Sequence, residues 1–203
     1  MLSIEEEFEQ RFREETGDLL YQRVLAVLLV GIILIPFFSV LDYVVVREHF
    51  NLFFLYRITC SALLLVLLFI YFTRFGRKHA YGLVTLAYVI AAFTISMMCV
   101  KMGGYPSFYY VGMIMVLVTV VILPLSTLQT AMYGVLVYLI YAVPIVLFTR
   151  PSAESLKIFF SNSFFLCFTL SVLCRFVNDF DKLFRIFFDC SEYDARIFFN
   201  CLF

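Results

Sequence analysis

The side chains able to do chemistry in this chain crowd into a few short stretches. Asp42 and Tyr43 are followed by Arg47, Glu48 and His49, and Arg57 comes soon after. Lys101, Gly103, Gly104 and Tyr105 form a second group, with Tyr109 and Tyr110 close behind it. Both signs of charge beside aromatic faces suit the capture of a small polar molecule, because the charges orient it and the apolar faces retain it. The candidate ligand-binding residues are therefore Asp42, Tyr43, Glu48, His49, Arg57, Tyr109 and Tyr110. A structural reading competes with this one. Asp42 can pair with Arg57 and staple two helices together, Arg57 can snorkel towards lipid headgroups, and the tyrosines can be interfacial aromatics. The two readings are compatible.

Bond-breaking chemistry finds no support in the pattern. The histidines are only His49 and His79, and the topology below puts them on opposite sides of a membrane, where they cannot share a metal. H-E-x-x-H, G-x-S-x-G and a glycine-rich phosphate loop are all absent from the sequence. Gly103-Gly104 reads as a turn before a helix. No paired carboxylates stand in the middle of an apolar run, and no run carries a ladder of arginines, which argues against an intramembrane hydrolase, a proton pump and a voltage sensor. The six cysteines, Cys60, Cys99, Cys167, Cys174, Cys190 and Cys201, make no C-x-x-C pair and read as small buried hydrophobes. The expectation is a protein without catalytic residues, metal or cofactor.

These residues must be positioned by elements that live in lipid. Of 203 residues, 64% are apolar and 15% charged, against about half and a quarter in a soluble domain. A chain this short cannot hide that excess in one core. Net charge is zero, which predicts no nucleic-acid partner. Apolar runs long enough to span, about 20 residues, occupy 21–46, 52–73, 80–101, 108–124, 126–149 and 157–176. The fourth is short, and its separation from the fifth rests on Pro124, Ser126 and Thr127. Joined as one helix, the two would reach about 60 Å, twice the hydrocarbon thickness. The fold class expected is all-α, a bundle of six transmembrane helices.

Charge sets the orientation. With the N-terminus inside, ten Lys and Arg face the cytoplasm and five face out, so both termini are expected to be cytoplasmic. Seven acids stand among the first twenty residues, where a signal peptide would be basic. Three segments are expected: residues 1–20 as an amphipathic cytoplasmic helix, 21–176 as the membrane domain, and 177–203 as a short juxtamembrane helix or tail. In the last, Val177, Phe180, Phe184 and Phe187 recur at steps of three, four and three, the spacing of a coiled-coil seam. It lasts under two heptads before Asp189, Ser191 and Asp194. An amphipathic helix lying at the membrane interface explains it equally well.

Arg23, Pro36, Leu41-Asp42-Tyr43, Glu48-His49-Phe50, Arg57, Gly103-Gly104, Tyr109-Tyr110-x-Gly112, Pro124, Pro144 and Asn162 before Phe164-Phe165 occur in this order. The series resembles the six-helix membrane sensor module at the N-terminus of bacterial histidine kinases, diguanylate cyclases and adenylate cyclases, loosely the MASE-type domains. The resemblance covers about residues 8–177. It implies an inner-membrane input module that homodimerises and passes a signal through its sixth helix into a cytoplasmic coiled coil and on to a kinase or cyclase; the residues themselves add the expectation of an unknown small ligand at the periplasmic face and of transmission through Val177, Phe180, Phe184 and Phe187. Such proteins continue into an output domain; here neither a phospho-acceptor histidine nor a G-G-D-E-F motif follows the last span. The tail from Phe187 to Phe203 reads unlike a signalling helix, so the expectation is a receptor truncated or frameshifted before its output domain, or a free-standing sensor. A small transporter or channel and a structural membrane subunit are the alternatives.

Overall fold

The computed structural model describes the backbone of residues 4–202, except 106, 121, 124 and 151, and the side chains of residues 21–179, except at those positions and 77, together with that of 182. Among the described residues the secondary structure is helical, without strands. Helix α1 spans Ile4–Phe37, α2 Ser39–Val45, α3 Phe50–Tyr71, α4 Arg74–Lys78, α5 Ala80–Lys101, α6 Tyr110–Val120, α7 Thr127–Phe148 and α8 Ala153–Leu202. The segments Tyr21–Val45, Arg47–Tyr71, Ala80–Lys101, Thr127–Phe148 and Ala153–Asp179 are each long and apolar enough to cross a membrane. This is the architecture of a multi-pass membrane protein. Its outward-facing side chains agree: Ile33, Phe69, Leu128, Leu147, Phe160 and Phe164 are all at least two-thirds exposed or close to it, which only lipid makes tolerable over so wide a surface.

The fourth apolar run forms a shorter helix than expected. At about 1.5 Å per residue, the eleven residues of α6 cover roughly 16 Å, half the hydrocarbon core. Tighter turns lengthen it at both ends. Val111 N and Gly112 N donate to Phe108 O and Tyr109 O, and Ile122 N and Leu123 N donate to Thr119 O and Val120 O, all with the three-residue spacing of a 3₁₀ turn. Beyond it a capping box starts α7: Ser126 Oγ accepts from Gln129 N while Gln129 Oε1 accepts from Ser126 N, two orphan donors satisfied at once. Pro124, which the sequence reading used for this boundary, lies outside the described residues.

Two other boundaries differ from expectation. Helix α1 runs through residue 20 without a break, so the acidic segment continues the first span as one helix. Helix α8 likewise continues past the membrane-spanning part to Leu202, and no glycine or proline interrupts residues 153–202. The side chains of Phe8, Phe12, Phe180, Phe184 and Phe187 lie outside the described residues; Val177 is buried.

Helix α5 is the hub, packed against α1, α3, α6 and α7, while α8 packs on α6 and α7. Buried Ala80, Ala87, Ala92 and Ser96 on α5 let neighbouring backbones approach closely, the usual device where lipid leaves no hydrophobic drive between helices. The chain alternates between two ends. The upper end carries residues 46–49, 102–109 and 149–152; the lower end carries 72–79 and 122–126. Phe53, Met98, Tyr105, Tyr141 and Phe159 belong to an upper core, and Leu28, Leu64, Tyr71, Val84 and Tyr133 to a lower one.

Gly104 closes α5 at the upper end. Its φ is +71°, its N–H returns to Cys99 O at 2.8 Å, and a Cβ there would run into the Thr149 side chain at the end of α7. A left-handed conformation costs other residues roughly 1–2 kcal/mol, and the collision adds to it. Replacing Gly104 with alanine is therefore expected to lower stability by about 2–4 kcal/mol, read as a clear drop in thermal midpoint in detergent, whereas Gly82→Ala, which meets nothing within 4 Å, should leave the midpoint unchanged or raised.

Candidate functional site

Three of the seven candidate residues come together. Pro36 lacks the N–H that would bond Ile32 O, and the first span breaks at Phe38, between α1 and α2. Neighbouring α3 supplies the replacement donors: Ser61 Oγ donates to Ile32 O at 2.8 Å and Arg57 Nη1 to Ile35 O at 3.4 Å. The break brings the short helix α2 and its Asp42 against α3. Arg57 Nε donates to Asp42 Oδ2 at 2.5 Å, and Nη2 donates to Oδ1 at 3.0 Å, a two-pronged guanidinium–carboxylate pair. Tyr109 Oη donates to the same Oδ1 at 2.7 Å. Asp42 is 2% exposed and Arg57 9%, so this is a buried charge pair whose carboxylate is satisfied from two further helical segments.

Aromatic rings fix the geometry. Phe53 meets Tyr109 edge-on at 5.3 Å and Phe108 stacks on it at 4.6 Å, while the Arg57 guanidinium lies over Phe38 at 5.8 Å. The Ser107 hydroxyl accepts from Tyr109 N at 3.3 Å. The remaining candidates stand apart. Tyr43, Glu48 and His49 are exposed and Tyr110 is half-buried; Tyr43 packs on Phe50 and beneath Arg47, and His49 leans on Phe53. The structure thus has a buried polar core at the upper end with exposed residues around it, in place of an open charged cup.

The cavity lies below this triad, within the bundle. It measures about 540 Å³, inside the range of ligand pockets, roughly 300–1,000 Å³, and separates α1–α2 from α6. Val30 and Leu34 form one wall, Val111 and Met115 the facing wall, and Ala91 and Thr94 of α5 the floor; Asp42, Arg57 and Tyr109 line its upper end. Helices α1–α2 and α6 are laced on both sides of it: Tyr109 bonds Asp42 above, and Arg23 Nη1 donates to Ile122 O at 3.3 Å below. Tyr88 is a wall residue that sequence reasoning missed. It is 3% exposed, and its hydroxyl lies beside Thr119, another residue lining the cavity. Nothing in its apolar surroundings in sequence marks it, because the cavity arises from where α6 starts and stops.

Among the described residues no group of His, Cys, Asp and Glu could hold a metal ion. Cys60 and Cys99 are buried free thiols, Cys167 is exposed and Cys174 half-buried; Cys190 and Cys201 lie outside the described side chains. Fold and site together define an all-helical membrane protein with an apolar internal cavity under a buried ion pair. No protein family, characterised protein or solved structure matches the chain, so its function rests on the site itself.

Breaking a buried pair by removing one partner costs about 3–5 kcal/mol, because the other charge is left alone in a poor solvent. Asp42→Leu and Arg57→Leu are each expected to lose that much in thermal unfolding in detergent, and the double replacement to lose clearly less than the sum. Additive losses would show that the two do not act as a pair. Tyr109→Phe leaves the charges matched and should cost only about 1–2 kcal/mol.

Proposed function

We propose that the chain is a membrane-embedded sensory input module of a bacterial signal-transduction protein, seated in the inner membrane with six spans and both termini in the cytoplasm. The cavity under the buried Asp42–Arg57–Tyr109 triad is the observation that carries this reading. A binding cavity is present, the sequence offers no chemistry to act on its contents, and one of its walls leads to the cytoplasmic helix. That wall is α6, which packs on α8, and α8 continues as one helix beyond its apolar part. An occupant that spreads α6 from α1 would load the ties at Tyr109 and Arg23 and shift α6 against α8. It does so only if it binds the two arrangements unequally. On this reading the chain works as a homodimer whose α8 helices meet in the segment after Val177, which is itself buried in its own chain, with a kinase or cyclase as the output partner.

A second reading has one observation in its favour. A helix broken beside a buried charge pair is what small transporters use for substrate sites, and the break at Phe38 next to Arg57 has that form. Flux separates the two.

The test places spin labels at Lys78→Cys and Lys182→Cys, both exposed at the lower end, in protein whose accessible cysteines are serine, diluted in nanodiscs. Tyr109→Phe cuts the upper tie without unpairing a charge. The sensory reading expects it to move the distance between labels by about 1–2 Å or more, the scale of helix shifts in switching proteins. An unmoved distance, together with solute flux in proteoliposomes, would replace the sensor with a transporter.

A further inference from the structure

The cavity offers hydrogen bonds at one end and hydrocarbon along the rest. Arginine carries five N–H donors. Among the described hydrogen bonds, Arg57 spends two on Asp42 and one, long at 3.4 Å, on Ile35 O, which leaves two N–H groups on a side chain that lines the cavity's upper end. An uncharged oxygen can accept from them. A charged head cannot be accommodated as well. An anion would compete with Asp42 for Arg57 and a cation would compete with Arg57 for Asp42, and either leaves a buried ion without its partner, at a cost of several kcal/mol.

Shape sets the tail. The lining residues run along α5 from Met98 to Ala87 and along α6 from Phe108 to Ile122, a length of roughly 16–21 Å at 1.5 Å per residue. A volume of about 540 Å³ drawn out over that length makes an elongated apolar slot whose long axis follows the helices, the shape of an extended hydrocarbon tail. Its lips are outward-facing. Val30, Leu34 and Leu41 on one side and Phe108, Val111 and Met115 on the other line the slot and are each between 42% and 54% exposed. A slit with such lips opens sideways into lipid.

We infer that the cavity binds a neutral amphiphile taken sideways from the bilayer, its uncharged oxygen at Arg57 and its hydrocarbon laid between α1 and α6. The inference rests on the ligand-binding reading proposed above and names the ligand class for that site. Fatty acids carry the wrong head once ionised.

The experiment uses the full chain in phosphatidylcholine nanodiscs and two photoreactive probes, hexadecanol and palmitic acid carrying the same diazirine, at a pH where the acid is ionised. Hexadecanol is expected to label peptides of both α1 and α6, and unlabelled hexadecanol to compete the labelling away. Ala91→Phe places bulk in the floor of the slot and should cut this labelling by about tenfold or more; Ala91→Val, a gentler filling, should cut it less and guards against misfolding of the first. Stronger labelling by palmitic acid would overturn the neutral head. Labelling that does not saturate, or that ignores both Ala91 variants, would overturn the site. Saturable labelling without movement of the label distance between positions 78 and 182 would uphold the ligand class and defeat the sensory reading. Movement of that distance with Tyr109→Phe, without saturable labelling, would do the reverse.

Discussion

An ionised carboxylate and a guanidinium held away from water each cost several kcal/mol in lost hydration. The upper half of this bundle is organised around recovering that cost. Arg57 stands seven residues after Phe50, where α3 begins, about 10 Å down the helix. A carboxylate that deep must be brought to it. The proline at position 36 and the break at Phe38 end α1 early, and α2 sets Asp42 against the guanidinium with both oxygens in hydrogen bonds. Tyr109 then donates to the carboxylate from a third segment, so α2, α3 and the start of α6 share one charge pair.

The backbone cost of the break is met by the same neighbour. Ser61 and Arg57, one helical turn apart on α3, reach Ile32 O and Ile35 O. In lipid a freed carbonyl has no water to turn to, so a break survives only where a packed helix supplies donors. At Pro144 in α7 the freed carbonyl is that of Ile140, and Ser96 of α5 donates at 3.4 Å to the next carbonyl, Tyr141 O, so only the break at Pro36 is met by donors at the freed position itself.

Much of this was legible in sequence, and for identifiable reasons. The apolar runs and their connections follow from composition, because a spanning helix has a fixed length and must exclude charge. The pairing of Asp42 with Arg57 was also legible: a lone cation inside an apolar run needs an anion, and Asp42 was the nearest at matching depth. Tyr109 was placed at the right end but its bond to Asp42 was not foreseen, since residues 67 positions apart meet through tertiary packing alone. Tyr43, Glu48 and His49 share the local chemistry of Asp42 yet face outward, a matter of helical phase after a break whose angle sequence does not encode. The cavity was the least legible. It exists because α6 is short and tied to α1–α2 at its two ends, and no residue type announces a space between helices.

That placement has a mechanical consequence. Helix α6 is thin in contacts with α1 and firm in contacts with α5, α7 and α8. Force applied from the cavity side therefore meets little resistance until the ties at Tyr109 and Arg23 are strained, and it is then passed to helices that are densely packed. Interiors packed to crystal-like density do not absorb a push by compressing; they shift as units or not at all. Of the two long helices behind α6, α7 is pinned at its upper end, where the Thr149 side chain lies against Gly104, and its lower end follows directly on the short connection from α6. Helix α8 has no corresponding turn at its lower end, where it runs on to Leu202. It also seats Leu170 in the gap left by Gly134 of α7, a knob in a hole that resists sliding along the helix axis. On the proposed reading, α8 is the element freest to carry a displacement out of the membrane, and it does so by tilting about this contact rather than by slipping past α7.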